Sequence, residues 1–91
     1  MINTAFILTN IYEIYPRYDE VRKFSKSMIA VRRNNKWGFV RAKTTWGVKL
    51  YEAIPPQYDA AEEFSGIIKV KTLVSLNGEQ FFINREGKKV E

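Results

Sequence analysis

The chain contains no cysteine and no histidine. Without cysteine there is no disulfide, no thiolate nucleophile and no cysteine-ligated metal cluster. Without histidine the commonest general base and the commonest transition-metal ligand are missing. Long apolar runs are absent too. The longest, such as Ala5–Leu8 and Met28–Val31, are four residues, against the ~20 a spanning helix needs. No Lys or Arg precedes Arg17, so the charged start of a signal peptide is lacking and the cytoplasm is the expected compartment. Glycine-rich phosphate loops and EF-hand patterns do not occur. Ser25, Ser27, Ser65 and Ser75 have no histidine partner and no Ser-x-x-Lys context, and the ten acidic residues form no recognisable catalytic constellation. These absences predict a protein that is not an enzyme and carries no cofactor or metal.

What is present is an ordinary globular mixture, 45% hydrophobic and 27% charged in 91 residues, enough for one small domain with a modest core. The net charge of +5 is uneven. Residues 1–49 hold ten basic and three acidic side chains, a net +7, and residues 50–91 hold five basic and seven acidic, a net −2. A positive face of this kind attracts phosphates or acidic protein surfaces. It also serves a small β protein simply as a solvated surface that discourages edge pairing.

The chain repeats itself. Pro16-Arg17-Tyr18-Asp19 through Phe24-Ser25 reappears forty residues later as Pro56-Gln57-Tyr58-Asp59 through Phe64-Ser65. An alternating apolar stretch follows each copy, Ile29-Ala30-Val31 and Ile68-Lys69-Val70. A turn and an aromatic-aliphatic pair come next, Phe39-Val40 and Phe82-Ile83, and Phe6-Ile7 supplies the same pair from an earlier, incomplete unit. The division is an incomplete unit at 1–15, a unit at 16–54 and a unit at 55–91, within one domain spanning 1–91.

Met28 to Val40 reads as a β-hairpin turning at Asn34-Asn35, because asparagine tolerates the positive φ of a type I′ turn. That register sets Arg32 opposite Trp37, Val31 opposite Gly38, Ala30 opposite Phe39 and Ile29 opposite Val40. Both faces are apolar, which predicts cover on two sides. The second hairpin, Val70–Leu76 with Glu79–Asn84, turns at Asn77-Gly78. It sets Thr72, Val74, Phe81 and Ile83 on one face and Leu73 and Phe82 on the other. A last short strand is expected at Lys88–Val90. Asp19 and Asp59 stand where helix N-caps are expected, each opening a short helical turn that ends at Phe24 or Phe64, with Glu62 at capping-box spacing from Asp59. Tyr18, Phe24, Tyr58 and Phe64 are then inward anchors.

Pro-x-Tyr-Asp-x-x-x-x-Phe-Ser, an apolar strand and Asn35-Lys36-Trp37-Gly38-Phe39-Val40 together resemble a WG repeat, a bacterial β-rich repeat family named for its Trp-Gly pair. The resemblance covers roughly two-thirds of the chain: Pro16–Val40, the opening Pro55–Asp59 with Phe64-Ser65, and Phe82–Val90 as a closing strand and turn. It implies an all-β fold of antiparallel hairpins, with the short helical turns noted above, forming a small repeat-built sheet, partial barrel or solenoid-like stack. It implies binding or scaffolding and no catalysis. Three departures stand out. Gln80-Phe81 replaces Trp-Gly, the second hairpin is about four residues longer near Lys71–Leu76, and the Val40–Pro55 connection carries an out-of-phase Trp46-Gly47.

The expected function is a protein–protein interaction module, a small regulator or inhibitor of a larger bacterial or mobile-element protein. Nucleic-acid binding through the basic and aromatic surface of residues 32–49 is the alternative. The candidate contact residues are Arg32, Arg33, Lys36, Arg41, Lys43, Trp46 and Lys49. Trp46 is expected to be either an exposed interface anchor or a lid over the core, and Trp37 a core ring with Arg32 stacked on it. Exposed strand edges at Phe6–Leu8 and Lys88–Val90 invite β-augmentation or self-association. No membrane contact is expected.

Overall fold

The computed structural model describes residues 17–44 and 47–91. The incomplete unit at 1–15 with its Phe6–Leu8 edge, together with Pro16 and Trp46, lies outside the described residues.

Eight strands follow one another: β1 (Glu20–Ser25), β2 (Met28–Arg33), β3 (Lys36–Thr44), β4 (Val48–Tyr58), β5 (Ala60–Ala61), β6 (Thr72–Leu76), β7 (Glu79–Ile83) and β8 (Lys89–Val90). They form two antiparallel meanders of four, β1-β2-β3-β4 and β5-β6-β7-β8. The fold is all-β, with no α-helix among the described residues. Sequence pattern and turn chemistry account for the central hairpins. The β2–β3 register pairs Arg32 with Trp37, Val31 with Gly38, Ala30 with Phe39 and Ile29 with Val40, as the asparagine turn dictates. Asn34 and Asn35 both take positive φ, 53° and 64°, and Asn77 and Gly78 repeat this at 53° and 82°.

The segments after Asp19 and Asp59 are strands β1 and β5, so the helical turns expected there are corrected. The aspartates still satisfy orphan amides, but those of hairpin turns. Asp19 Oδ2 accepts from the Asn34 amide at 3.0 Å, and Asp59 Oδ2 from the Asn77 amide at 2.9 Å. Their own amides bond across to Arg32 O and Ser75 O. The Glu62 amide donates to Leu73 O as a strand residue would, which removes the capping box.

The two sheets stack in one sense. Aligning the turn Asn34-Asn35 with Asn77-Gly78 equates Ile29, Val31 and Val40 with Thr72, Val74 and Ile83, and the Pro-x-Tyr-Asp repeat equates Tyr18 with Tyr58. The first set forms a buried cluster on one face of the first sheet. In the second unit Tyr58, Val74 and Ile83 pack instead against Met28, Ala30, Trp37 and Phe39, on the opposite face of the first sheet. Thr72, buried beside them, donates its hydroxyl to Glu62 O at 2.7 Å. The first sheet thus turns its Met28, Ala30, Trp37 and Phe39 face to the second sheet, which meets it with Val74 and Ile83. Both faces of the β2–β3 hairpin are buried, as its two-sided apolar pattern predicts.

The Trp-Gly pair serves this geometry. Trp37 fills the space between sheets. A Cβ on Gly38 would come within 2.7 Å of the backbone of Pro55 and Pro56, where β4 bulges past β3 on its way into the second sheet. In the second sheet β8 pairs with β7 only at Phe82 and Ile83. No strand crosses Phe81 among the described residues, and its ring meets Tyr58 edge-on at 6.2 Å. The extra length of the second unit is three residues and lies in its first turn: Ser25 pairs with Met28, whereas Ser65 bridges to Lys71. The boundary drawn at 54/55 falls inside β4, whose residues up to Tyr58 belong to the first sheet.

Candidate interaction surface

The basic candidates divide between the two ends of the first sheet. Arg32, Arg33 and Lys36 lie at the Asn34-Asn35 end, and each has an intramolecular partner. Arg32 Nε is 3.4 Å from Glu20, Arg33 is 3.6 Å from Glu52, and Lys36 donates to Asp59. Arg33 also lies 5.2 Å from the Tyr18 ring centre, and the Tyr18 hydroxyl donates to Glu52. Burial, then the neighbouring Glu52 carboxylate, push that hydroxyl up to about 12. The Lys36 ammonium, followed by the Asn77 amide, holds the Asp59 carboxyl below the usual range. These groups lock the corner that joins the two units. The cation over Trp37 is Arg22, at 3.8 Å from the ring centre, in place of the expected Arg32. Arg22 also donates to Ala61 O at 2.6 Å, tying β1 to the second sheet.

Arg41, Lys43 and Lys49 lie at the opposite end. The stretch read from sequence as a long connection is a continuous ribbon of β3 and β4, with Arg41 opposite Tyr51 and Lys43 opposite Lys49. Strand alternation sets all four on one ribbon face, the face that carries Trp37 and Phe39 further along β3. Lys43 and Lys49 are exposed and Tyr51 is 44% exposed. Like charges directly opposite on a ribbon are unfavourable, and among the described residues no carboxylate is paired with Arg41, Lys43 or Lys49. The arrangement presents an arginine fork, two ammonium groups and a phenol edge to one side, a donor set suited to carboxylates or phosphates. Tyr51 belongs to this face and was missed in the sequence. The alternation Arg41-x-Lys43 against Lys49-x-Tyr51 was the signal that could have found it. The C-terminal edge strand is shorter than expected, Lys89–Val90, and pairs with β7.

A family model described as WG containing repeat matches residues 13–37 and 52–72. No curated protein and no solved structure matches the chain.

Proposed function

The chain belongs to the WG-containing repeat family, and from that membership we propose that it is a non-catalytic binding module whose β3–β4 ribbon docks on an acidic surface of a larger protein, as a regulator or inhibitor of it. The observation that carries this reading is the placement of Lys43 directly across from Lys49, next to Arg41 and the exposed Tyr51, on one ribbon face. An acidic partner relieves the cross-strand repulsion and gains charge-assisted hydrogen bonds. Tyr51 adds a rigid amphipathic ring of the kind enriched in interfaces. The same donors suit a phosphate backbone, and nuclease treatment separates the two. Phosphate contacts make affinity fall steeply between about 50 and 200 mM salt.

The test is affinity capture from the source organism on the immobilised chain, with and without nuclease, beside the double variant Lys43→Glu/Lys49→Glu. The reading expects a protein that survives nuclease treatment, is lost on the variant, and leaves the variant's melting temperature no lower than that of the parent. A catch that disappears with nuclease and shows the steep salt slope assigns the ribbon to nucleic acid instead.

A further inference from the structure

The two units differ most at one turn. Lys26-Ser27 joins β1 to β2. The corresponding link in the second unit has five residues, Gly66–Val70, closed by reciprocal amide–carbonyl bonds of 3.0 Å between Ser65 and Lys71. Ile67 and Ile68 stand out from this link at 92% and 94% exposure, far beyond Tyr51 and Phe82, the other exposed large apolar side chains among the described residues. Two adjacent isoleucines on a tight turn forgo the burial that would stabilise them, and turn conformation favours glycine, asparagine, aspartate or serine in their place. A firmly closed turn that displays such a pair marks a contact surface.

The surroundings of the turn identify what it contacts. A groove of about 530 Å³ beside Ile68 is lined by Lys69, Lys71 and Arg85, with Glu86 and Glu91. Arg85 reaches across to donate to Lys26 O at 3.3 Å, and the Ala42 amide at the base of the ribbon donates to Ser27 O. The β1–β2, β5–β6 and β7–β8 links therefore share one end of the molecule. They bring Lys26, Lys69, Lys71, Arg85 and Lys88 to that end, against the carboxylates of Glu63, Glu86 and Glu91. A second copy of the chain would set these cations against their like. A broad anionic plane with an apolar interior matches both the charge and the isoleucines.

We propose that Gly66–Val70 is a membrane-surface loop. Ile67 and Ile68 enter the boundary between headgroups and acyl chains of an anionic bilayer, while Lys69 and Arg85 receive lipid phosphate. The expectation of no membrane contact came from the lack of a spanning segment, and a surface contact needs none. The proposal is independent of the ribbon's protein partner.

The test uses the full chain and phosphatidylcholine vesicles with and without phosphatidylserine, read by co-sedimentation. The wild type is expected to bind only the phosphatidylserine vesicles. Ile67→Ser/Ile68→Ser is expected to lower that binding by about tenfold or more, with an unchanged circular dichroism spectrum and melting temperature. Because the chain has no cysteine, Ile67→Cys carries one environment-sensitive fluorophore, which should shift to the blue on anionic vesicles. No binding by the wild type overturns the proposal. So does binding that the serine variant retains without a blue shift, which is adsorption by charge alone. Loss of a captured protein on the serine variant, with no vesicle binding by the wild type, overturns it in favour of a protein pocket for the loop. The ribbon variant reports on soluble protein capture, so failure of one proposal is distinguishable from failure of the other.

Discussion

Tyr18 and Asp59 occupy opposite ends of the pH scale in the same corner of the fold. The Tyr18 hydroxyl is buried and donates to Glu52, and its pKa is raised from 10.0 to about 12 by burial first and by Glu52 second. A raised pKa means the folded state holds the proton more tightly, so the stability this group contributes is whole below pH 10 and is lost as pH rises through about 12. Tyr18→Phe should cost about 1–2 kcal/mol at neutral pH through the lost hydrogen bond, and the alkaline limb of the stability curve should flatten. Urea midpoints measured across that range check this, and an alkaline limb as steep as the parent's would show that Tyr18 does not govern it. Asp59 has the reverse sign: its carboxyl is held low, first by Lys36 and then by the Asn77 amide, so what it contributes is lost as pH falls through the lowered value. The sequence showed that Asp19 and Asp59 would satisfy backbone amides, because aspartate after Pro-x-Tyr does so in helices and turns alike. It could not show which amides, since those of Asn34 and Asn77 lie 15 and 18 residues away.

The central hairpins were legible because Asn-Asn and Asn-Gly fix both turn type and register, and the register then assigns every side chain to a face. Strands β1 and β4 were not legible for specific reasons. Lys26 and Ser27 adopt φ of 52° and 66°, a turn that residue type does not advertise. Pro55 and Pro56 interrupt what reads as a strand, yet β4 runs through them by way of a bulge. Missing β4 hid the ribbon, so Arg41, Lys43 and Lys49 were named as contacts without the register that places them beside Tyr51. That register makes a prediction about the trade between stability and binding. Lys49→Glu converts the repulsion with Lys43 into an attraction across the ribbon, so it should stabilise the fold by about 0.2–1 kcal/mol while weakening partner capture. Thermal unfolding and capture on the same variant measure both. A variant that loses stability would mean that the ribbon pairs differently in solution.

Stacking gives the molecule a direction, and its two ends are unlike. Met28, Ala30, Trp37 and Phe39 face the second sheet and are buried. The equivalent positions on the outer face of the second sheet are Lys71, Leu73, Gln80 and Phe82, of which Gln80 is exposed and Phe82 is 38% exposed. Lys71 lies 4.3 Å over the Phe82 ring centre and screens it. Lysine and glutamine at two of the four equivalent positions make this face more polar than its counterpart in the first sheet. Restoring the first unit's residues with Lys71→Met and Gln80→Trp should therefore expose an apolar platform and drive association. The face it would meet in a head-to-tail stack is already buried, with Ile29 and Val31 at 0% exposure. Association must then pair two outer platforms about a two-fold axis, which closes at the dimer and cannot grow into a fibre. Sedimentation equilibrium of the double variant should show a monomer–dimer transition shifted to lower concentration than in the parent, with no larger species. Open-ended polymers would show instead that the Tyr18, Ile29 and Val31 face can be uncovered.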